Sequence, residues 1–110
     1  MDKIWLHNYP KNIPENIDKN PYSSIVDLIN DADKKFKNHI AFTNLNTNIS
    51  YNKIANYSNR FASYLQNYLH LTKGNKIGIM LPNLHTFPVC FFGALKCGLT
   101  VVNINPLYKY

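Results

Sequence analysis

Acidic residues are missing from most of the sequence: the chain has six, and Asp33 is the last of them. Three lysines accompany those six acids, whereas nine lysine or arginine residues follow Asp33 without any carboxylate, for a formal net charge of +6. A pair of carboxylates for acid–base catalysis and a carboxylate set for Mg²⁺ are therefore excluded from residues 34–110.

Glycine and arginine are also scarce. The four glycines, Gly74, Gly78, Gly93 and Gly98, are too dispersed to form either common glycine-rich phosphate loop. Arg60 is the single arginine, so the sequence has no arginine cluster for bidentate contacts to phosphate or guanine. The scattered lysines are typical of a solvated surface, and we expect no nucleic-acid partner.

The sequence has only two cysteines, Cys90 and Cys97. They lie seven residues apart on one predicted helix, so about 10 Å of helical rise separates them. This distance exceeds the Cα separation that a disulfide allows. We expect both to be buried thiols on an apolar helix rather than redox or metal-binding groups.

Histidine clusters are absent as well, because His7, His39, His70 and His85 fall on unrelated elements without the spacing of metal ligands. His85 lies in the first turn of an apolar helix, at the carboxyl end of a predicted strand. Two interpretations stay open for it: a polar residue that ends a helix, which we favour, or a residue on the substrate side. We assign no catalytic, cofactor-binding or metal-ligating residue.

Long hydrophobic segments are missing too. The N-terminus carries Pro10, Pro14 and mixed charges instead of the apolar core of a signal peptide. The longest apolar run, Phe87–Leu95, is too short to cross a bilayer. We therefore expect a cytoplasmic protein.

What the sequence does contain is the pattern of an α/β fold. Residues 1–22, rich in proline and asparagine, are predicted to form an extended arm whose Trp5 and Tyr9 can pack onto a body, and residues 23–110 a partial α/β domain. The first predicted elements are a helix from a Ser23 or Ser24 cap to about Lys37, a hairpin of Ile40–Thr43 and Ile49–Tyr51 around a loop at 44–48, and a helix from a Ser50 cap to about His70.

Both of these helices are amphipathic, and their apolar stripes are expected to face the core. The stripes are Ile25, Leu28, Ile29, Ala32 and Phe36 on the first helix, and Ile54, Ser58, Phe61, Ala62, Leu65 and Leu69 on the second.

The last third of the sequence predicts a parallel βαβ unit. Apolar residues at Ile77, Ile79 and Leu81 indicate a strand, and a helix over about Leu84–Lys96 follows the Pro82-Asn83 break. Thr100–Ile104 is a β-branched run typical of a buried strand. Pro88 is tolerated only in the first helical turn, and Gly98 is predicted to end the helix with a positive φ.

The apolar third helix needs cover that this unit does not supply. Parallel sheets usually have helices on both faces, and two strands with one crossover helix leave faces and edges open. The sequence therefore predicts a fold that is incomplete on its own and that self-associates or is marginally stable in isolation.

Several segments, in order and over nearly the whole chain, resemble the start of the adenylate-forming acyl-CoA synthetases, most closely the bacterial long-chain fatty acid–CoA ligases. The matching segments are Lys3–Leu6 with Tyr9-Pro10, Tyr22–Asp27, Ile49–Ile54 (the family's early T/S-Y-x-x-L motif), Met80–Asn83, Phe87–Val89, and Leu95–Gly98 through Val101–Tyr108 (its G-x-x-x-V-N-x-N-P-L-Y stretch).

The resemblance implies the N-terminal portion of the large domain of an AMP-forming ligase. The intact enzyme would activate a fatty acid with ATP and Mg²⁺ to an acyl-adenylate and then transfer the acyl group to coenzyme A. It would be cytoplasmic, with peripheral contact to the inner face of the membrane. The family's phosphate loop, adenine-binding and Mg²⁺-binding motifs and catalytic lysine normally lie further along, so the fragment is predicted to bind no cofactor and to be inactive.

Other functions stay open at this point. The chain resembles, less closely, other acid–CoA ligases and amino-acid-adenylating domains. From a different class, it is also compatible with a non-catalytic remnant or an interaction module.

Overall fold

A computed structural model describes residues 3–17 and 21–108 of the chain. Within them lie a 3₁₀ helix, three α-helices and four strands in two small sheets. In order, these are the 3₁₀ helix Ile4–Asn8, α1 Ile25–Phe36, β1 Ile40–Asn44, β2 Thr47–Ser50, α2 Tyr51–Asn67, β3 Lys76–Ile79, α3 Thr86–Lys96 and β4 Thr100–Asn103. The predicted α/β class, with one hairpin and one parallel βαβ unit, is confirmed.

The N-terminal segment differs from the extended arm that its composition predicts, because Ile4–Asn8 forms a 3₁₀ helix. Trp5 and Tyr9 stay exposed. Residues 1–2 and 18–20 of the predicted arm lie outside the described residues. The division into an arm at 1–22 and a domain at 23–110 stays a prediction.

The hairpin is tighter than predicted. β1 and β2 pair antiparallel, and Asn44 pairs with Thr47, so the turn consists of Leu45 and Asn46 alone. The prediction of a loop over residues 44–48 was therefore wrong. Both turn residues have positive φ, 46° and 60°, and two such residues give a turn whose twist matches that of the flanking strands.

Serine side chains begin both amphipathic helices, as predicted. Ser24 Oγ accepts a hydrogen bond from the Asp27 amide at 3.0 Å, and Ser50 Oγ accepts one from the Lys53 amide at 3.4 Å. α2 ends at Asn67, earlier than the predicted His70. His70 has a φ of 53°, which cannot continue a right-handed helix.

The parallel unit has the predicted topology, with β3 paired to β4 and α3 as the crossover. α3 begins at Thr86 and not at Leu84, because Leu84 is used in a turn in which its amide donates to Pro82 O at 2.8 Å. Pro88 is the third residue of α3 and thus lies in the first turn, as predicted. Leu81 and Ile104 lie just beyond the strands.

Gly98 ends α3 with a φ of +72°, which confirms the prediction. The Gly98 amide donates to Leu95 O at 2.9 Å and the Leu99 amide to Ala94 O at 3.1 Å. These two bonds are the Schellman pattern, which requires the left-handed conformation at the residue after the cap.

Gly98→Val is expected to lower the free energy of unfolding by about 1–2 kcal/mol, because a side chain with a Cβ is disfavoured in the left-handed region and a β-branched one especially so. Urea denaturation followed by circular dichroism measures this loss. Gly98→Asn is the matched control, since asparagine tolerates that conformation better. An equal or smaller loss for valine than for asparagine would contradict the assignment.

The core lies between α2, α3 and β4. Its buried members are Ala62, Leu65, Ala94, Cys97 and Leu99, with Phe61, Leu71, Ile77 and Val101 packed against them. The stripe of α2 is thus mostly buried as predicted, although Leu69 is exposed.

The stripe of α1 behaves differently, because Ile25, Leu28 and Phe36 are exposed. The prediction that the whole stripe faces the core was wrong for these three residues. α1 packs against α2 and α3, but neither helix covers the two ends of its apolar face.

Candidate functional site

A cleft of about 610 Å³ lies at the carboxyl ends of β3 and β4, where open α/β sheets bind their ligands. Backbone geometry shapes its rim. The Ile104 amide extends the β-ladder by donating to Ile79 O at 2.9 Å, and Asn105 Oδ1 accepts from the Leu107 amide at 2.9 Å to close a turn. The turn directs the chain across the strand ends.

The chemistry of this cleft is that of amides, one phenol and apolar walls. Its polar side chains are Asn83, Asn103, Asn105 and Tyr108, and its apolar residues are Ile79, Leu81, Pro82, Phe87, Ile104, Pro106 and Leu107. Such a set can donate and accept hydrogen bonds. It holds no carboxylate, histidine or lysine among the residues that the structure describes, so it offers neither an acid–base pair nor ligands typical of Mg²⁺.

A second cleft, of about 330 Å³, lies between the hairpin and the start of α3. Asn44 Nδ2 donates to Asn83 O at 2.7 Å and thereby ties β1 to the loop between β3 and α3. Asn83 and Phe87 line both clefts, so the two are neighbours. The hairpin thus forms one wall of the surface beside the strand ends.

His85 lines this second cleft, and it caps α3 without any side-chain hydrogen bond to the helix. Its Nε2 atom is shielded from solvent and has no hydrogen-bond partner within the described ranges 3–17 and 21–108. Both interpretations of His85, a polar residue at a helix end or a residue on the substrate side, therefore stay predictions.

The other histidines lie elsewhere: His7 on the 3₁₀ helix, His39 before β1 and His70 after α2. Across the described part of the chain, no three histidine, cysteine or acidic side chains come together as metal ligands would. The described residues therefore present no cluster of side chains that would hold a metal ion such as Mg²⁺.

The two cysteines are free thiols. Cys97 is buried, and its Sγ donates to Ala62 O at 3.3 Å, whereas Cys90 is only half-buried. Burial raises the pKa of both thiols above the usual value, which disfavours the reactive thiolate. The expectation of buried thiols is confirmed for Cys97 and holds in part for Cys90.

One polar cluster was missed by the sequence analysis. Lys96 Nζ donates to Ser58 Oγ at 2.9 Å and to Asn59 Oδ1 at 2.7 Å, which links the end of α3 to α2. Burial lowers the pKa of Lys96, and the negative charge of Asp33 opposes this shift. Ser58 within the apolar stripe of α2 was the signal for it, because a buried hydroxyl needs a partner.

Comparison with known proteins identifies the family of the chain. The profile of the AMP-binding enzyme family, described as "AMP-binding enzyme", matches residues 29–110. The chain belongs to this family. The resemblance to adenylate-forming enzymes inferred from the sequence is thereby confirmed.

Curated relatives include the long-chain-fatty-acid–CoA ligase of Yersinia pestis, 40% identical over 108 residues, which is 98% of this chain and 19% of that protein. The ligase of the same name from Bacillus subtilis is 29% identical over 106 residues, 96% of this chain and again 19% of the relative. This chain thus spans about a fifth of the length of these relatives.

Two solved structures have the same fold as this chain. The N-terminal subdomain of Klebsiella oxytoca NpsA matches with a TM-score of 0.74 and 21% identity, over 78% of this chain and 22% of that one. VinN matches with a TM-score of 0.73 and 28% identity, over 77% of this chain and 22% of that one. At 21% identity NpsA shows the fold alone, which is the fold predicted from the sequence.

Proposed function

We propose that this chain is the N-terminal part of a long-chain fatty acid–CoA ligase. In the whole enzyme, a fatty acid reacts with ATP to form an acyl-adenylate and pyrophosphate, and coenzyme A then displaces AMP to give the acyl-CoA. The observation that supports this most is the 40% identity to the Yersinia pestis ligase across 108 residues.

The chain's own contribution in this proposal is structural. β3, α3 and β4 supply a parallel unit, and α2 supports it through the core around Leu65. The cleft at the strand ends is lined by no carboxylate, and the described residues hold no cluster of three metal-ligating side chains. Residues outside this chain would therefore hold ATP and Mg²⁺, and the cleft at the strand ends would present amide groups and apolar walls to them.

We also propose that the protein works in the cytoplasm, in peripheral contact with the inner face of the membrane. Across the residues that the structure describes, no helix combines the length and apolar character needed to cross a bilayer. Fatty acid, ATP and coenzyme A are the proposed small-molecule partners.

A second candidate, an amino-acid-adenylating enzyme, has support from VinN, which was also solved in complex with L-aspartate. The identity to VinN is 28%, compared with 40% to the Yersinia pestis ligase. The proposal of a fatty acid substrate rests on this difference.

A chimera tests the proposal: this chain replaces the 108 matched residues of the Yersinia pestis ligase. We expect acyl-CoA to form from palmitate, ATP and coenzyme A, and not from acetate or L-aspartate. The unaltered Yersinia ligase is the control for expression, thermal midpoint and rate. A folded chimera that forms no acyl-CoA would contradict the proposed function.

A further inference from the structure

The outer face of α2, together with the residue that caps its end, carries a line of two basic and three aromatic side chains. The spacings of four, three, four and four residues keep its members on one side of the helix. We call this line the α2 stripe, and it consists of Lys53, Tyr57, Arg60, Tyr64 and Tyr68. All five are exposed, with Tyr57 and Tyr64 at 45% and Tyr68 at 71%.

The α2 stripe points away from the body of the protein. The buried residues of α2 are Ile54, Ala55, Ser58, Ala62 and Leu65, and they lie on the opposite side, where α2 packs against α3. From Lys53 to Tyr68 the stripe is about 22 Å long at 1.5 Å per residue. A straight line of exposed side chains of this length can touch a flat surface at every position.

The chemistry of the stripe fits the surface of an anionic bilayer. A tyrosine ring has an apolar body and a polar hydroxyl, which suits the level of the lipid headgroups. Arg60 lies between Tyr57 and Tyr64, and Lys53 precedes Tyr57. Basic side chains near a membrane are attracted by anionic headgroups. The sequence has no acidic residue after Asp33 to oppose this attraction from within α2.

Single-stranded nucleic acid fits the stripe less well. Proteins bind it by stacking bases on aromatic rings, but Tyr64 and Tyr68 stack on each other, with centroids 5.1 Å apart and planes at 17°. Each ring therefore has one face covered by its neighbour. Arg60 is also the only guanidinium in the chain.

We propose that the α2 stripe docks the protein onto an anionic phospholipid bilayer. The proposal rests on the proposed function for its setting, because a long-chain fatty acid is a substrate that partitions into membranes. The docking itself requires no acyl transfer and can be measured without it.

Cosedimentation of the full chain with lipid vesicles tests the docking. We expect binding to vesicles of phosphatidylcholine with phosphatidylglycerol, and much less to phosphatidylcholine alone. In the variant Lys53→Gln/Arg60→Gln, the partition coefficient should fall about 30-fold, because each basic residue near an anionic membrane contributes a factor of about five. The variant Tyr57→Ser/Tyr64→Ser/Tyr68→Ser, which keeps both charges, should also bind more weakly.

The matched control is Lys34→Gln/Lys37→Gln, which removes two exposed charges from the region of α1. It should keep the partition coefficient within about fivefold of the unaltered chain. Circular dichroism confirms that each variant is folded. Protection of the α2 amides from hydrogen exchange upon vesicle addition, measured with the unaltered chain, requires no variant at all.

Three results would overturn the proposal. The first is that the unaltered chain fails to bind anionic vesicles. The second is that the control variant loses as much binding as the variant Lys53→Gln/Arg60→Gln. The third is that a single-stranded oligonucleotide protects the α2 amides from exchange while vesicles do not. Because the chimera's acyl-CoA formation is assayed separately and without vesicles, loss of docking with an active chimera removes the proposals of membrane contact and leaves the proposed ligase activity in place.

Discussion

Replacing Leu65 by alanine is expected to lower the free energy of unfolding by about 2–5 kcal/mol, the range for a large-to-small change in a core. Leu65 is 1% exposed and lies where α2 meets α3 and β4, among Ala62, Ala94, Cys97 and Leu99. Phe61, Leu71, Ile77 and Val101 also pack against this cluster, so removal of the Leu65 side chain leaves a cavity whose walls relax only in part. Because small folds have a net stability of about 5–15 kcal/mol, the cooperative transition should weaken strongly or vanish.

Leu69→Ala is the matched control, since it makes the same chemical change four residues further along, just beyond the end of α2, at a residue that is 45% exposed. Its loss should be well under half that of Leu65→Ala, because less apolar surface leaves water there on folding. Urea denaturation followed by circular dichroism measures both. Equal losses would show that Leu65 is not the centre of the core.

Gly93→Ala is expected to destabilise the fold by about 1–3 kcal/mol, the usual cost of overpacking. A Cβ added to Gly93 would lie 2.8 Å from Phe61 Cδ1 and 2.9 Å from Ser58 O. The first contact can relax by a ring movement, but the second is with the backbone of α2. Helix propensity alone predicts the opposite sign, a gain of about 1 kcal/mol.

Overpacking lowers the stability and helix propensity raises it, so the sign of the measured change distinguishes the two effects. Ser63→Ala, on the exposed side of α2, reports helix propensity together with the loss of the hydrogen bond from Asn67 Nδ2 to Ser63 Oγ, without any contact across the helices. If the thermal midpoint of the Gly93→Ala variant rises as much as that of the control, α2 and α3 do not approach as closely as described.

Local sequence signals predicted the elements of this fold well. Ser24 and Ser50 as caps, Pro88 in a first turn and Gly98 after a cap are each determined by a backbone requirement within a few residues. The hairpin turn was missed because Leu45 adopts a positive φ that is unusual for leucine. Here the pairing of Asn44 with Thr47 overrides a local preference.

Long-range features were harder to predict. Periodicity shows which face of α1 is apolar, but not that Ile25, Leu28 and Phe36 lack a covering element. The link from Lys96 to Ser58 joins residues 38 positions apart, and no local pattern specifies such a pair. The position of His85 at a strand end was predictable, whereas the shielding of its Nε2 depends on packing around the start of α3.

The central claim is that this chain supplies structure to the proposed enzyme and that residues outside it hold ATP and Mg²⁺. Pyrophosphate release tests this claim most directly. The 12.7 kDa chain alone and the chimera with the Yersinia pestis ligase are assayed at equal concentration with ATP, Mg²⁺ and palmitate. We expect background release from the chain alone, because its sequence has no glycine-rich phosphate loop and its cleft at the strand ends has no carboxylate. We expect palmitate-dependent release from the chimera. Pyrophosphate release above background by the isolated chain, with an activity that coelutes with the chain, would contradict the account.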